Sequence, residues 1–94
     1  MSGAAAEAAR IPRLRPGYRL QWEAAQQCHV LLYPEGMIRL NDSAAAILSR
    51  CDGQTSLGAL IDALAAAYPG ETTLAEDIRE FIDLARQRGW IELR

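Results

Sequence analysis

The chain has 94 residues and a formal net charge of -2 at pH 7. That length holds one thin core and no deep substrate cavity, the more so because much of its 50% hydrophobic content is alanine. A weakly acidic balance offers no global positive field for nucleic acid or an anionic membrane, and since every basic residue is arginine we read the lack of lysine as coding bias.

Residues 1–16 read as a flexible tail. Pro12 and Pro16 prevent a continuous helix, no amphipathic stripe is present to dock it, and Arg10, Arg13 and Arg15, with Arg19 just beyond, give it a local positive cluster. Its start lacks the apolar centre of a signal peptide, and no run approaches the roughly 20 apolar residues of a membrane span, so the expected location is cytoplasmic. Residues 17–94 form the expected single domain. Tyr18, Leu20 and Trp22 alternate with Arg19, Gln21 and Glu23, the period of a half-buried strand. Cys28 to Tyr33 and Met37 to Leu40 follow as second and third strands, joined by a Pro34-Glu35-Gly36 turn that suits proline's fixed φ and glycine's positive φ.

A first helix, capped within Asn41 to Ser43 and running to about Arg50, places Ala44, Ile47, Leu48 and Cys51 on one side, with Asp52-Gly53 ending it. A second starts at Thr55 or Ser56 and carries Leu57, Leu60, Ile61, Leu64 and Tyr68 to a stop at Pro69-Gly70. The third opens on Thr73-Leu74-Ala75-Glu76, a capping-box pattern, and carries Leu74, Ile78, Phe81, Ile82 and Ala85 to Gly89. Trp90 to Leu93 suits a last short strand. The expected class is α+β: an N-terminal three-stranded antiparallel sheet followed by three helices, winged helix-turn-helix-like.

Reactive chemistry is sparse. Cys28 and His29 are adjacent and would face opposite ways on a strand, and Cys51 cannot complete a zinc set with them. His29 is the only histidine, and no orienting group for a cysteine nucleophile is apparent. Glu76, Asp77, Glu80 and Asp83 alternate with Arg79, Arg86 and Arg88, as on a solvated, salt-bridged helix face. No catalytic residue, metal or cofactor is expected. A winged-helix nucleic-acid-binding regulator is the alternative class, but the exposed side of its third helix would be net acidic and repel phosphate. An oligomer built by strand exchange is a further one.

The third strand lies at a sheet edge if the meander order holds. Its backbone groups can then pair with an extended peptide, with side chains adding selectivity. On the third helix Leu84 sits off the core stripe, on a flank shared with Asp77 and Arg88.

Several segments resemble the pyrroloquinoline quinone biosynthesis protein D family: Arg19-Leu20-Gln21-Trp22-Glu23, His29 to Met37, Leu40-Asn41 with Ser43-Ala44, Cys51-Asp52-Gly53, and Gly89-Trp90-Ile91. The resemblance spans Tyr18 to Leu93 and implies a winged-helix-like RiPP recognition element. It implies a peptide chaperone that binds the leader of the pyrroloquinoline quinone precursor peptide between third strand and third helix. The chaperone then presents it to a radical S-adenosylmethionine enzyme, which holds the iron–sulfur clusters and links a glutamate to a tyrosine. On this reading Met37, Ile38, Arg39 and Leu40 pair with the peptide, and Asp77, Leu84 and Arg88 line the groove. Proline at Ile38 is expected to harm binding if that N–H faces the edge.

Overall fold

A computed structural model describes residues 3–94. In chain order the elements are α1 (Gly3–Ala8), β1 (Pro12–Leu14), β2 (Arg19–Glu23), β3 (Cys28–Tyr33), β4 (Gly36–Leu40), α2 (Asp42–Leu48), α3 (Leu57–Ala67), α4 (Leu74–Gln87) and β5 (Ile91–Leu93). β2, β3 and β4 form an antiparallel meander in that order, and α2, α3 and α4 follow it, as the alternation and the three helical stripes predict.

One face of the meander meets the helices. Leu31 and Leu40 are buried there with Ile47, Leu48, Leu57, Leu60, Leu64, Ile78 and Ile82, each such side chain contributing about 1.5–3 kcal/mol by leaving water. Tyr18 and Leu20 pack against this core, but Trp22, expected on the same buried face, is 50% exposed. The helices do not reach that end of β2, and the indole instead meets the His29 ring edge-on at 5.1 Å across the strand pair.

The two-residue turn between Tyr33 and Gly36 keeps both central residues at negative φ, as a type I frame requires; Gly36, at φ 159°, is nearly extended rather than left-handed.

Helix ends follow local chemistry with two departures. The Ala44 N–H donates to Asn41 Oδ1 at 2.8 Å and the Ala59 N–H to Ser56 Oγ at 3.1 Å, so Asn41 and Ser56 cap α2 and α3. α4 ends in a Schellman arrangement: Gly89, at φ 77°, donates to the Arg86 carbonyl at 3.0 Å, and Trp90 donates to that of Ala85 at 2.9 Å. At its start, however, the expected capping box is absent. The Thr73 hydroxyl donates to Asp77 Oδ2 at 3.1 Å, and no side chain caps the first turn. A cap would need that hydroxyl oxygen to accept from an N–H of the first turn, and Thr73, at φ -105° and ψ 11°, lacks the extended backbone that aims it there. α2 also stops at Leu48 rather than near Arg50: the Ser49 N–H still bonds four residues back to Ala45, but those of Arg50 and Cys51 bond only three back, to Ile47 and Leu48.

The largest correction concerns residues 1–16. Met1 and Ser2 lie outside the described residues, but the rest of the segment is docked. β1 pairs antiparallel with β5 in the register Pro12–Leu93, Arg13–Glu92 and Leu14–Ile91. Pro12 is fully buried, Arg13 Nε donates to Glu92 Oε1 at 2.6 Å, and the Arg10 guanidinium donates to the carbonyls of Leu93 and Arg94 at 2.8 and 2.9 Å. α1 packs closely on α3 at Gly58: a Cβ there would lie a tight 3.3 Å from both the Cβ and carbonyl oxygen of Ala8. Of the arginines expected as a local positive cluster, Arg10 and Arg13 instead tie the two ends of the chain together. Gly53 serves this region too, donating to the Pro12 carbonyl at 3.1 Å beyond an Asp52 that bridges Arg13. Asp52 accepts from the N–H groups of Gln54 and Thr55, which hold its carboxyl below the usual carboxylate range.

The thiols are free and differ in setting. Cys51 is buried, and desolvation, helped by the Asp52 charge, pushes its thiol up to about 12. Cys28 is half-buried on the outer face of the sheet. Because the thiolate is the reactive form, iodoacetamide near about pH 8 is expected to label Cys28 in the folded protein and to reach Cys51 only with denaturant present. Mass spectrometry of the labelled peptides reads this directly, and equal native rates would contradict it.

Candidate functional site

Two features stand side by side on the helical side of the meander: the free edge of β4, and a groove beginning where β4 ends. The edge can be described residue by residue. Tyr33 and Gly36 flank a two-residue turn and so form a hydrogen-bonded pair; antiparallel alternation then makes Leu31–Ile38 and His29–Leu40 bonded pairs as well. The Ile38 N–H therefore points inward to β3. The outward N–H and C=O groups belong to Met37 and Arg39, and these are the ones an added strand would meet. The condition attached to proline at Ile38 is not satisfied, and the sensitive position moves to Arg39 or Met37.

The side chains divide differently. Ile38 and Leu40 turn toward the helices, Leu40 only 7% exposed and Ile38 packed against the core. Met37 and Arg39 project from the opposite face, where Met37 is 47% exposed and Arg39 stands across from the buried Val30.

The groove has a volume of about 460 Å³ and runs between α2, the end of α3 and the first half of α4. Ala44, Ile47, Leu64, Ile78 and Phe81 give it an apolar lining, with Asp42, Glu71 and Asp77 among its polar residues. Its first residue, Asn41, directly follows β4. Of the three expected α4 residues, Asp77 lines this groove, whereas Leu84 and Arg88 do not. They lie farther along the same helix flank, seven and eleven residues beyond Asp77 and therefore on one stripe of a 3.6-residue helix. Leu84 is 39% exposed, and Arg88 occupies the C-cap. The stripe thus carries an acidic residue at its start, an exposed apolar one beyond the middle, and a basic one at its end.

Tyr68, Phe81 and Glu71 are groove residues that sequence reasoning did not assign. Tyr68 shares the period of the α3 core stripe, but the chain leaves the helix there, at φ -127° and ψ 66°, and the ring is 51% exposed. Its neighbours Pro69-Gly70 were the available signal, because a side chain at a helix stop need not follow the stripe. Among the described residues no group of three or more His, Cys, Asp or Glu is placed to hold a metal ion. Among the described residues no helix is long and apolar enough to cross a membrane.

Comparison with known proteins places this geometry in a context. The family model described as coenzyme PQQ synthesis protein D (PqqD) matches residues 28–91. The PqqA binding protein of Azotobacter vinelandii is 58% identical over 88% of this chain and 90% of its own. That of Pseudomonas aeruginosa is 49% identical over 89% and 91%. Among solved structures, the solution NMR structure of the PqqD truncation of Methylobacterium extorquens PqqCD, described as a functional, stand-alone RiPP recognition element, superposes with a TM-score of 0.67. It is 31% identical, with 86% of this chain and 87% of that one covered.

Proposed function

This chain belongs to the coenzyme PQQ synthesis protein D family, and from that premise we propose that it binds the PqqA precursor peptide in pyrroloquinoline quinone biosynthesis. The observation that carries this reading is its 58% identity, across nearly its whole length, to a protein named for binding PqqA. The free β4 edge supplies a means: the outward backbone groups of Met37 and Arg39 pair with an extended leader, giving affinity that depends little on side-chain identity. Ile38 and Leu40 stiffen that strand from the core side. Asp77, Leu84 and Arg88 form the helical wall past which the peptide runs. The three-stranded meander beside α2, α3 and α4 acts as the wing of a winged helix-turn-helix put to peptide recognition.

The protein itself performs no chemistry in this proposal. It works in the cytoplasm and presents the bound peptide to a radical S-adenosylmethionine enzyme, raising the effective concentration of substrate at that partner. A homodimer formed by strand exchange would use the same β4 edge, so peptide and second copy compete for it.

Isothermal titration tests this with two peptides, the full precursor and the same peptide without its leader. One-to-one binding of the first and none of the second is expected. Equal binding of both, or of neither, rejects the proposal.

A further inference from the structure

We propose that the groove between α2, α3 and α4 is a specificity pocket that receives an apolar side chain of the peptide together with an adjacent lysine or arginine. The inference rests on the peptide-binding reading above and adds the chemistry of the residues selected. At about 460 Å³ the groove falls within the usual range of side-chain-sized and small-ligand sites. Ala46, Leu74 and Phe81, each only partly buried, line it with accessible apolar surface, which disfavours occupation by water alone.

The charge around that surface has one sign. Every charged side chain lining the groove is a carboxylate, from Asp42 on α2, Glu71 in the α3–α4 turn and Asp77 on α4. Among the described residues none of the three is ion-paired, whereas Asp83 and Glu92, elsewhere on the surface, each hold an arginine. Asp77 receives only the Thr73 hydroxyl, on one of its two oxygens. Tyr68 completes the rim with a half-exposed ring, whose face suits a cation or the aliphatic stem behind it. Apolar lining, unpaired carboxylates and an exposed tyrosine together fit a hydrophobic residue beside a basic one, and disfavour an acidic segment. Because the groove starts at Asn41, a strand paired along β4 enters it as soon as it passes Leu40.

The test uses the intact protein and fluorescein-labelled precursor peptide, with affinity read by anisotropy at low and high salt and folding checked by circular dichroism. Replacing the carboxylates together (Asp42→Asn, Glu71→Gln, Asp77→Asn) changes little volume and is expected to weaken binding about tenfold at low salt, with the difference shrinking at high salt. Peptides in which each lysine or arginine is changed singly to glutamine should include one that loses affinity for the wild-type protein but hardly any for the triple variant. Ala46→Phe, at a half-buried groove position on α2, should weaken binding about tenfold at either salt by filling the space. If Ala46→Phe proves unfolded, the carboxylate variant carries the test.

The inference is overturned if the triple variant binds within about twofold of wild type at low salt. It also falls if no basic residue of the peptide couples to the carboxylates, or if a folded Ala46→Phe alters the protein's mass in solution without altering peptide affinity, since the groove would then hold a second copy. The peptide-binding reading survives all three results and falls only if the wild-type protein fails to bind the precursor through its leader.

Discussion

Arg39→Pro is expected to weaken precursor-peptide binding by about 10- to 100-fold while leaving the protein folded. The proline removes an N–H that points away from β3, so no bond of the β3–β4 ladder is lost. What disappears is a donor at the edge, and a peptide carbonyl left unpaired beside it costs about 1–3 kcal/mol. Arg39→Ala separates backbone from side chain and should bind within about threefold of wild type, because the strand still pairs. Ile38→Pro should behave in the opposite way. Its N–H belongs to the bonded pair with Leu31, so the hairpin itself is damaged and the melting temperature falls along with binding. Anisotropy and thermal melts on the three variants decide the matter. Wild-type affinity in Arg39→Pro would remove β4 as the docking edge, and wild-type stability in Ile38→Pro would reverse the assignment of inward and outward groups.

Deleting residues 1–16 is expected to abolish cooperative folding at room temperature. The deletion takes β1 from β5 and leaves buried or half-buried partners unmet: Gly53 and Leu57 lose the carbonyls of Pro12 and Arg10, bonded at 3.1 and 2.8 Å, and the Trp90 carbonyl loses the Arg15 N–H at 3.0 Å. Ile11 and Arg94 exchange two further backbone bonds, at 3.2 and 3.0 Å. At about 0.5–1.5 kcal/mol for each bond, with the burial of Pro12 added, the loss approaches the whole 5–15 kcal/mol stability usual for a small domain. Urea unfolding followed by circular dichroism would show a broad or absent transition. A sharp transition near the full-length midpoint would mean that the segment is dispensable after all.

That deletion also marks where the sequence was hard to read. Pro12-Arg13-Leu14 has too few residues for a period, opens on a proline and has another two residues past its end, so nothing local announces a strand. It is a strand because Ile91 to Leu93, almost the whole chain away, provides the other half of the ladder. The meander and the helices were legible for the opposite reason. Leu57, Leu60, Ile61 and Leu64 state their own geometry, and Asn41 and Ser56 announce a helix start through bonds spanning only three residues. Thr73 misled because a capping box and a hydroxyl–carboxylate pair draw on the same residue types, and the spacing does not say whether the hydroxyl accepts from the backbone or donates to a carboxylate.

The site divides along the same line. An edge strand follows from meander order, so Met37 to Leu40 could be nominated from the sequence. Which of those backbone groups point outward depends on the hydrogen-bond alternation counted from the Tyr33–Gly36 pair. The groove had no local signature, because Asp42, Tyr68, Glu71 and Phe81 come from three helices and a turn and meet only in space.

The β1–β5 pairing has a mechanical side. Pro12 opens β1 opposite Leu93 at the far end of β5, so a pull applied between the two termini loads the ladder from one end. Its bonds then break one after another, as in a zipper, instead of sharing the force as they would in shear. Threading by an unfolding machine, from either terminus, should therefore meet its least resistance at this first step, and the β4 edge would stay intact until the zipper had opened.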